Sequence, residues 1–307
     1  MGRALVDSAR LHVNATCLTF WGGIGDHLFL STLAHELGKR GTKNVFIVSE
    51  YGQLFENNPD VSLVARPGSR RARWMARLAV GGQLLRPSYL INDDPVEDRR
   101  DAPPSHILHY LCEQIGIKGE ITLKPYFVPT AGEMEWGAAY ADCIAIQSSN
   151  ANARLVFLNK QWDPERFGGV AESLMYSHRV VQIGHTNDEA IPCHIDLRGR
   201  TTLRQLAAVL AYSRLFVGLV GMPMHLARAV ECPSVILYGG RERPEQSGYS
   251  CNFNIFSDIE CAPCWRDNRC EFERRCMSMI AEDSVIAAVR AMLDRPRNPL
   301  AIDRAFI

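Results

Sequence analysis

A glycine-rich turn followed by a carboxylate is the first stretch with chemical potential. Gly22, Gly23 and Gly25 follow a short apolar run and lead into Asp26 and His27. Glycines placed after a strand let the backbone or a ligand approach closely. A carboxylate at a helix start can stabilise the helix dipole, or it can act as a general base in a cleft. The residues alone leave both interpretations of the aspartate open.

A second stretch, residues 215–240, has the pattern strand, loop, helix, strand. The apolar run 215–217 predicts a buried strand, and a glycine-containing turn is predicted at 218–221. Pro223 fits the first turn of a helix, where its missing N–H costs nothing. Pro233 ends that helix before the next apolar run. A helix N-terminus at the edge of a parallel sheet binds anions, so this unit is a candidate phosphate site.

Small polar residues and a lysine follow the predicted strand 143–147. Ser148 comes directly after that strand, and Lys160 precedes a predicted helix at 164–176. A lysine at such a place can neutralise a phosphate as a point charge. The alternative is an exposed loop lysine with no ligand.

Five of the ten cysteines crowd into residues 251–276, and the last four follow a C-x2-C-x5-C-x5-C pattern: Cys261, Cys264, Cys270 and Cys276. Four thiolates can close a tetrahedral site for zinc or iron. A disulfide is disfavoured if the chain is cytosolic. A structural metal is therefore predicted, with free thiols as the alternative.

Composition excludes several classes of protein. Hydrophobic residues make up 47% and charged residues 22% of the 307 residues, as in ordinary globular proteins. The formal net charge is zero, so no overall field favours nucleic acid. The longest apolar runs fall short of the roughly 20 residues that span a bilayer, and the N-terminus is too polar for a secretory signal. We expect a cytoplasmic protein without nucleic-acid partners.

Predicted strands and helices alternate along the chain, which favours an α/β fold. The extended, proline-containing stretch 121–132 separates two such halves. We predict two Rossmann-like, doubly wound domains facing each other across a cleft, residues 1–130 and 131–307. The second domain would carry the cysteine-rich segment 251–277 and a last helix at 285–293.

One segment, residues 70–85, is basic and amphipathic. Arg70, Arg73 and Arg77 share one face of a predicted helix. Such a face can touch an anionic acceptor or a membrane surface. A solvated helix face explains the same charges, so peripheral membrane contact stays open.

These stretches together resemble glycosyltransferase family 9, the ADP-heptose:lipopolysaccharide heptosyltransferase type with the GT-B fold. Separated matches occur in the order expected for the family. They are Gly22-Gly23-Ile24-Gly25-Asp26, Asn58-Pro59-Asp60-Val61, Lys160-x-Trp162-x-x-Glu165-Arg166-Phe167, Asp196-Leu197-x-Gly199-x-Thr201-x-Leu203-x-x-Leu206, Pro223-Met224-His225-Leu226-Ala227, and Cys261-Ala262-Pro263-Cys264-Trp265 with Cys270 and Cys276-Met277.

The resemblance implies a nucleotide-sugar donor on the C-terminal domain and an acceptor on the N-terminal domain. It places Asp26 at the position of the catalytic base, with Gly23, Gly25 and His27 on the acceptor side of the cleft. The donor-binding residues that we expect are Lys160, Gly221, Met222, Pro223, Met224, His225, Ser148 and Thr186.

The donor loop departs from the family pattern, which usually reads Val-Gly-Asn-Asp-Ser/Thr-Gly-Pro-Met-His. Here Leu219 and Val220 replace the Asn and Asp. The aspartate that would contact the donor sugar is therefore missing, and the sequence leaves the sugar open. The hypothesis is inverting transfer of a heptose-like sugar from an ADP-linked donor to a hydroxyl, with Asp26 as base. No catalytic metal is expected, because no Asp-x-Asp pair is placed to hold one at the diphosphate.

Two alternatives belong to other functional classes. A non-catalytic nucleotide-binding or assembly relative would explain the change at Val220. A dinucleotide-dependent oxidoreductase fails on the fingerprint, because Leu28 stands where its third glycine belongs. A glycan, a protein and a small molecule all remain candidate acceptors, and an oligomer stays open.

Overall fold

The computed structural model describes residues 15–79, 84–94, 96–153, 156–296 and 300–307. Strands and helices alternate through most of the chain. The strands are Ala15–Thr19 (β1), Asn44–Val48 (β2), Leu63–Ala65 (β3), Leu84–Leu85 (β4), Ile91–Asp94 (β5), Arg99–Asp101 (β6), Glu120–Thr122 (β7), Ile144–Gln147 (β8), Val180–Ile183 (β9), Ile195–Asp196 (β10), Leu215–Leu219 (β11), Ser234–Gly239 (β12), Phe253–Phe256 (β13) and Arg304–Phe306 (β14).

The helices lie between these strands. They are Ile24–Lys39 (α1), Arg70–Leu78 (α2), Ile107–Gln114 (α3), Ala131–Gly137 (α4), Pro164–Met175 (α5), Leu203–Tyr212 (α6), Met222–Ala229 (α7), Pro244–Ser247 (α8), Arg275–Ser278 (α9) and Glu282–Leu293 (α10). Short 3-10 turns occur at Gly52–Phe55, Ala138–Tyr140 and Leu158–Lys160.

The N-terminal sheet has the strand order β3-β2-β1-β4, and all of its pairs are parallel. Its central strands β1 and β2 are almost wholly buried, as expected for a parallel sheet covered on both faces. The chain order reverses between β1 and β4, so the carboxyl ends of these two strands form a crevice. The turn that carries Asp26 leaves β1 at this point.

The C-terminal sheet has the order β10-β9-β8-β11-β12-β13, again with every pair parallel. This is the doubly wound order of a dinucleotide-binding fold, and it reverses between β8 and β11. The predicted α/β class with two Rossmann-like sheets is confirmed.

Helices α1 and α7 bring the two halves together. A Cβ on Gly25 would lie 3.3 Å from the Cα of Met222, which is a tight contact with backbone. Glycine at this position therefore allows the first turns of α1 and α7 to approach closely. One apolar core runs through this junction, and it includes Phe29 of α1 and Met224 of α7.

The chain crosses between the halves more often than a simple division at residue 130 predicts. Strand β14, at the C-terminal end, pairs antiparallel with β7 of the N-terminal half. The hairpin β5–β6 reaches the cysteine-rich segment, where Asp98 accepts hydrogen bonds from the Asn268 and Arg269 N–H groups at 2.5 Å each. The boundary at residue 130 stays a prediction.

Several local predictions were wrong for tertiary reasons. The segment 70–85 is not one helix, because α2 ends at Leu78 and β4 pairs with the free edge of β1. The apolar run 89–91 predicts a strand from the sequence, but the strand begins only at Ile91 and forms the β5–β6 hairpin. The turn predicted at 218–221 is shorter, because Gly218 and Leu219 extend β11 in register with β12.

The sequence predicts a helix over 106–116 with Ser105 as its cap, but α3 begins differently. The cap is His106, whose Nδ1 accepts the Leu108 N–H at 3.2 Å. The Ser105 hydroxyl is hydrogen-bonded to His109 Nδ1 at 2.9 Å, so it does not cap the helix.

Among the described residues, no helix has both the length and the apolar character needed to cross a membrane. Helix α2 exposes its arginines, and Trp74 on the same helix is 52% exposed. Ala72 and Met75 bury the opposite face against the N-terminal sheet. Contact with a membrane surface and simple solvation both remain compatible with this helix.

Candidate active site in the interdomain cleft

A cavity of about 640 Å³ lies where the first turns of α1 and α7 meet. The N-terminal domain lines it with Gly23, Gly25 and Asp26, and the C-terminal domain with Gly221 and Pro223. Both helices follow the parallel strand at the reversal point of their own sheet, β1 and β11 respectively. The sheet topology thus brings the two chemical stretches predicted from sequence, one from each domain, into the lining of one cavity.

Asp26 occupies the first turn of α1 and uses both carboxylate oxygens. Its Oδ2 accepts the Gly23 N–H at 2.7 Å, and its Oδ1 accepts the Tyr89 hydroxyl at 2.5 Å. Burial raises the pKa of Asp26, and this effect outweighs the opposing hydrogen bonds from Tyr89 and Gly23. The side chain therefore stabilises the start of its own helix and also presents a carboxylate of increased basicity to the cavity.

Gly22 lets that carboxylate fold back over the turn. A Cβ at this position would collide with the Asp26 carboxylate, and its Cγ would be only 2.7 Å away. Any side chain here would displace Asp26 or the turn. The glycine-rich pattern is explained by this close approach, with no dinucleotide required.

The start of α7 has the opposite character. Gly221 precedes the helix and has no side chain with which to cap it. The N–H groups of Met222 and Met224 belong to the first turn, while Pro223 has none to satisfy. A Cβ on Gly221 would meet only the Asn150 side chain, at 3.8 Å. The first turn of α7 is therefore an electropositive helix end facing an open cavity.

His225 lines the cavity one turn into α7 and is 6% exposed. Its Nδ1 lies 2.7 Å from the Tyr249 hydroxyl, and its ring packs edge-on against Phe29 with centroids 4.6 Å apart. Burial, reinforced by the nearby Lys160 charge, lowers the pKa of His225 to about 3. The ring is neutral at physiological pH. If the Tyr249 hydroxyl donates to Nδ1, the proton of the neutral ring is on Nε2. The Nε2–H group is then an uncharged hydrogen-bond donor on the side of the ring away from Tyr249.

Lys160 reaches the same cavity from the C-terminal domain, where it forms a close ion pair with Glu242. Burial lowers the pKa of Lys160, and the carboxylate of Glu242 opposes that shift. Phe157 lies beneath the ammonium, with 5.3 Å between Nζ and the ring centroid. The lysine is not the exposed loop residue that the sequence left as the alternative.

Four of the predicted site residues do not line the cavity. Met224 is fully buried and accepts the Tyr238 hydroxyl on its sulfur at 3.4 Å. Ser148 accepts the Gln182 side-chain amide at 3.0 Å, and Thr186 is exposed beside Gly199. His27 points into the N-terminal domain, where Nδ1 lies 2.9 Å from the Ser49 hydroxyl. Their roles as ligand contacts stay predictions.

Tyr89 and Glu242 are among the cavity residues that the sequence analysis missed. Tyr89 follows β4, the strand beside β1, and Glu242 follows β12, the strand beside β11. Polar residues that follow parallel strands gather at one edge of a sheet, so strand ends were the available signal. Tyr89 was hidden because it was assigned to a strand, and Glu242 because its partner is 82 positions away.

The four predicted metal ligands lie in one region but do not form a ligand set. Throughout the described ranges, which contain all four cysteines, no three His, Cys, Asp or Glu side chains come together as metal ligands. Cys276 is buried against Gly240, whereas Cys270 is exposed and its sulfur accepts the Arg274 N–H at 3.2 Å. These positions do not fit a four-thiolate metal centre in the present arrangement.

Comparison with known proteins agrees with the fold. Residues 144–274 match the family model for glycosyltransferase family 9 (heptosyltransferase). Lipopolysaccharide heptosyltransferase 3 of Escherichia coli is 29% identical over 156 residues, which cover 46% of this chain and 45% of that protein. The resemblance to glycosyltransferase family 9 is confirmed. Lipooligosaccharide heptosyltransferase 2 of Campylobacter jejuni is 23% identical over 149 residues, 43% of this chain and 47% of that protein.

The chain thus spans about half the length of the curated heptosyltransferases that it matches. Solved structures cover more of it. The family 9 glycosyltransferase of Veillonella parvula superimposes with a TM-score of 0.66 at 17% identity, covering 91% of this chain and 97% of that one. The iron-containing, dodecameric heptosyltransferase TibC of E. coli gives 0.67 at 16% identity, covering 90% and 75%. These likenesses establish the GT-B fold.

Proposed function

We propose that this family 9-like chain is an inverting glycosyltransferase that moves a sugar from a nucleoside diphosphate to an acceptor hydroxyl. One observation carries the proposal. A carboxylate, Asp26, and a helix start that can bind an anion, Gly221–His225, line one cavity from opposite domains. A sugar held between them would have a base on one side and its leaving group on the other.

An ADP-linked, heptose-like sugar is the proposed donor. The first turn of α7 offers N–H groups and the positive end of the helix dipole to a diphosphate. Lys160 adds a cation and His225 a neutral donor. The heptosyltransferase names of the relatives support this donor class, and TibC has been solved with ADP-D-β-D-heptose.

In the proposed reaction Asp26 takes the proton of the acceptor hydroxyl. The acceptor oxygen forms a bond to the anomeric carbon while the bond from that carbon to the diphosphate oxygen breaks. The diphosphate leaves with the electron pair, and its charge is stabilised by the α7 N–H groups and Lys160. Tyr89 orients the base, since its hydroxyl holds Oδ1 at 2.5 Å.

A thermal-shift screen of the full chain with ADP-, GDP- and UDP-sugars tests the donor. A ligand at about one hundred times its dissociation constant adds roughly 2.7 kcal/mol to apparent stability. We expect the ADP-sugars to raise the melting temperature most. A chain that is stabilised by no nucleotide or nucleotide-sugar would overturn the proposal.

A non-catalytic, nucleotide-binding relative is the second candidate, and the observation that favours it is Val220. This residue lines the cavity as an apolar side chain where the family has an aspartate. Such a protein would be stabilised by ADP but would neither transfer nor hydrolyse the sugar of any donor. Detection of either reaction would exclude it.

The acceptor and the assembly state belong to the same proposal. A glycan hydroxyl is the acceptor class that the lipopolysaccharide and lipooligosaccharide names of the relatives support. Protein and small-molecule hydroxyls are the alternatives that an acceptor screen would compare.

TibC is dodecameric, so light scattering should be used to test whether this chain also assembles. We also propose a cytoplasmic location.

A structural iron or zinc on Cys261, Cys264, Cys270 and Cys276 stays a prediction from their spacing. The iron-containing neighbour TibC supports it, whereas the arrangement of the thiols in this structure does not. Metal analysis of the purified chain and of a variant with the four cysteines changed to serine is the test. One metal per chain should be lost with the cysteines. Equal metal content in the two proteins would contradict the prediction.

A further inference from the structure

The donor wall of the cavity has an apolar side chain at the point where a polar group is expected. Val220 directly follows β11, is 2% exposed and lines the cavity beside Gly221. A sugar presents several hydroxyl groups, and a hydroxyl buried without a partner costs about 1–3 kcal/mol. A donor sugar in this cavity therefore needs an acceptor of hydrogen bonds from some other residue.

Glu242 is a carboxylate on the same wall. It follows β12, the strand paired with β11, so both strands deliver their ends to one edge of the sheet. The residue is 3% exposed and lines the cavity together with Val220 and Asp26. The chain has thus lost a carboxylate at one strand end and holds one at the next.

The surroundings of Glu242 place it close to the reacting centre. Its partner Lys160 is the proposed diphosphate cation, and Lys160 also acts electrostatically on Asp26. Tyr89 donates a hydrogen bond to Asp26, and the negative charge of Glu242 contributes to raising the pKa of Tyr89. Glu242 therefore lies among the groups that would surround the sugar.

Arg241, the second cation beside Glu242, has a closer carboxylate partner in Asp267. Arg241 donates to Asp267 Oδ1 at 2.5 Å, whereas it is 3.6 Å from Glu242 Oε2. Asp267 also pairs with Arg100 at 2.9 Å, so these charges continue the ion-pair network that includes Glu242. Lys160 is the main partner of Glu242, and a bound diphosphate would compete for that partner.

We propose that Glu242 binds hydroxyl groups of the donor sugar in place of the aspartate that Val220 replaces. This inference rests on the proposed function. Without donor, the carboxylate pairs with Lys160. When the diphosphate engages Lys160, the Glu242 carboxylate becomes available to accept hydrogen bonds from the sugar.

The test separates the sugar from the nucleotide. The dissociation constants of ADP and ADP-heptose are measured by calorimetry. The dissociation constant of ADP divided by that of ADP-heptose reports how much the sugar adds to binding. For Glu242→Ala we expect this ratio to fall at least tenfold towards one, while ADP binds as well as before or more tightly because Lys160 is released. The double variant V220D/E242A should recover part of the ratio.

Glu245→Ala is the matched control, because Glu245 lies three positions further on, in α8, and is exposed and outside the cavity. Its ratio should equal that of the wild type. If Glu242→Ala does not fold, Glu242→Gln keeps the size of the side chain and should still lower the ratio. A ratio within twofold of wild type in the folded Glu242 variants would overturn the inference alone. Absence of ADP and ADP-heptose binding by the wild type would overturn the proposed function and this inference with it.

Discussion

The first turns of α1 and α7 are built alike and end up with opposite chemistry. Each follows a buried parallel strand at the reversal point of its sheet, and each begins with glycine. The α1 turn supplies its own carboxylate, and Asp26 occupies the Gly23 N–H. The α7 turn begins at Gly221, which has no side chain to offer.

This difference explains how one cavity can serve two ligands. An occupied helix start repels a second anion, so the α1 side suits a neutral acceptor hydroxyl near a base. A helix start without a carboxylate attracts an anion, so the α7 side suits a diphosphate. Exchanging these properties between the two helices should exchange what each wall can do.

The largest effect is expected from removing the base. Asp26→Asn keeps the shape of the side chain and can still accept from Tyr89 or Gly23, but it cannot take a proton. Transfer should fall roughly 10²- to 10⁴-fold, the usual contribution of a general base. The measurement is steady-state turnover with a saturating ADP-sugar, with the donor dissociation constant determined in parallel.

The donor dissociation constant should change little in Asp26→Asn, because the diphosphate lies on the other wall. Near-normal turnover in this variant would show that Asp26 serves only its own helix. In that event the comparison between the two helix starts would lose its catalytic meaning.

A carboxylate introduced at the start of α7 should have the next largest effect. Gly221→Asp copies the α1 arrangement, and repulsion of a diphosphate at about 4–5 Å costs on the order of 3 kcal/mol at an effective dielectric near 20. ADP-sugar binding should weaken on the order of 100-fold. Without ligand, the new cap should raise the free energy of unfolding by a few tenths of a kcal/mol.

Gly221→Asn is the matched control, since it has the same size and no charge, and the cavity is open around this position. Its donor affinity should stay much closer to wild type. Equal weakening by Asn and Asp would assign the effect to bulk and remove the anion site from the proposal.

The smallest expected effect concerns two neutral histidines that join the halves. His106 Nε2 lies 3.0 Å from the Gly248 oxygen across the junction, and burial lowers its pKa from 6.5 to about 4. The pKa of His225 is lowered to about 3 for the same reason. The unfolded chain therefore binds these protons at a higher pH than the folded chain. Stability is retained above pH 6.5 and is lost as the pH falls towards 4.

Each histidine should contribute a slope of up to about 1.4 kcal/mol per pH unit in that window. Urea unfolding at several pH values measures this slope for the wild type and for His106→Gln. The variant should be less stable at pH 7 and should show the shallower slope. Identical slopes would mean that His106 is protonated as readily in the folded chain as in the unfolded chain.

Local signals in the sequence predicted much of the fold. Apolar runs predicted β8 and β11, and Pro223 predicted the first turn of α7. The glycine-rich turn before Asp26 likewise predicted that this residue lies at a helix start. These features depend on neighbours within a few positions, which sequence patterns record directly.

Contacts between distant residues were not predictable in the same way. The pairing of β14 with β7 and the bond from Tyr89 to Asp26 both depend on how finished elements pack. Glu242 meets Lys160 because β12 and the turn before α5 end at the same sheet edge. The wall residues of the cavity therefore came from topology, whereas the two helix starts came from local pattern.

The central claim is that base and leaving group face each other across one cavity. The most direct measurement is the anomeric configuration of the sugar released when the wild-type chain turns over an ADP-sugar with water as acceptor. Proton NMR can follow it before mutarotation. Inversion relative to the donor is the predicted result. Release with the configuration of the donor retained would contradict in-line attack between Asp26 and the start of α7.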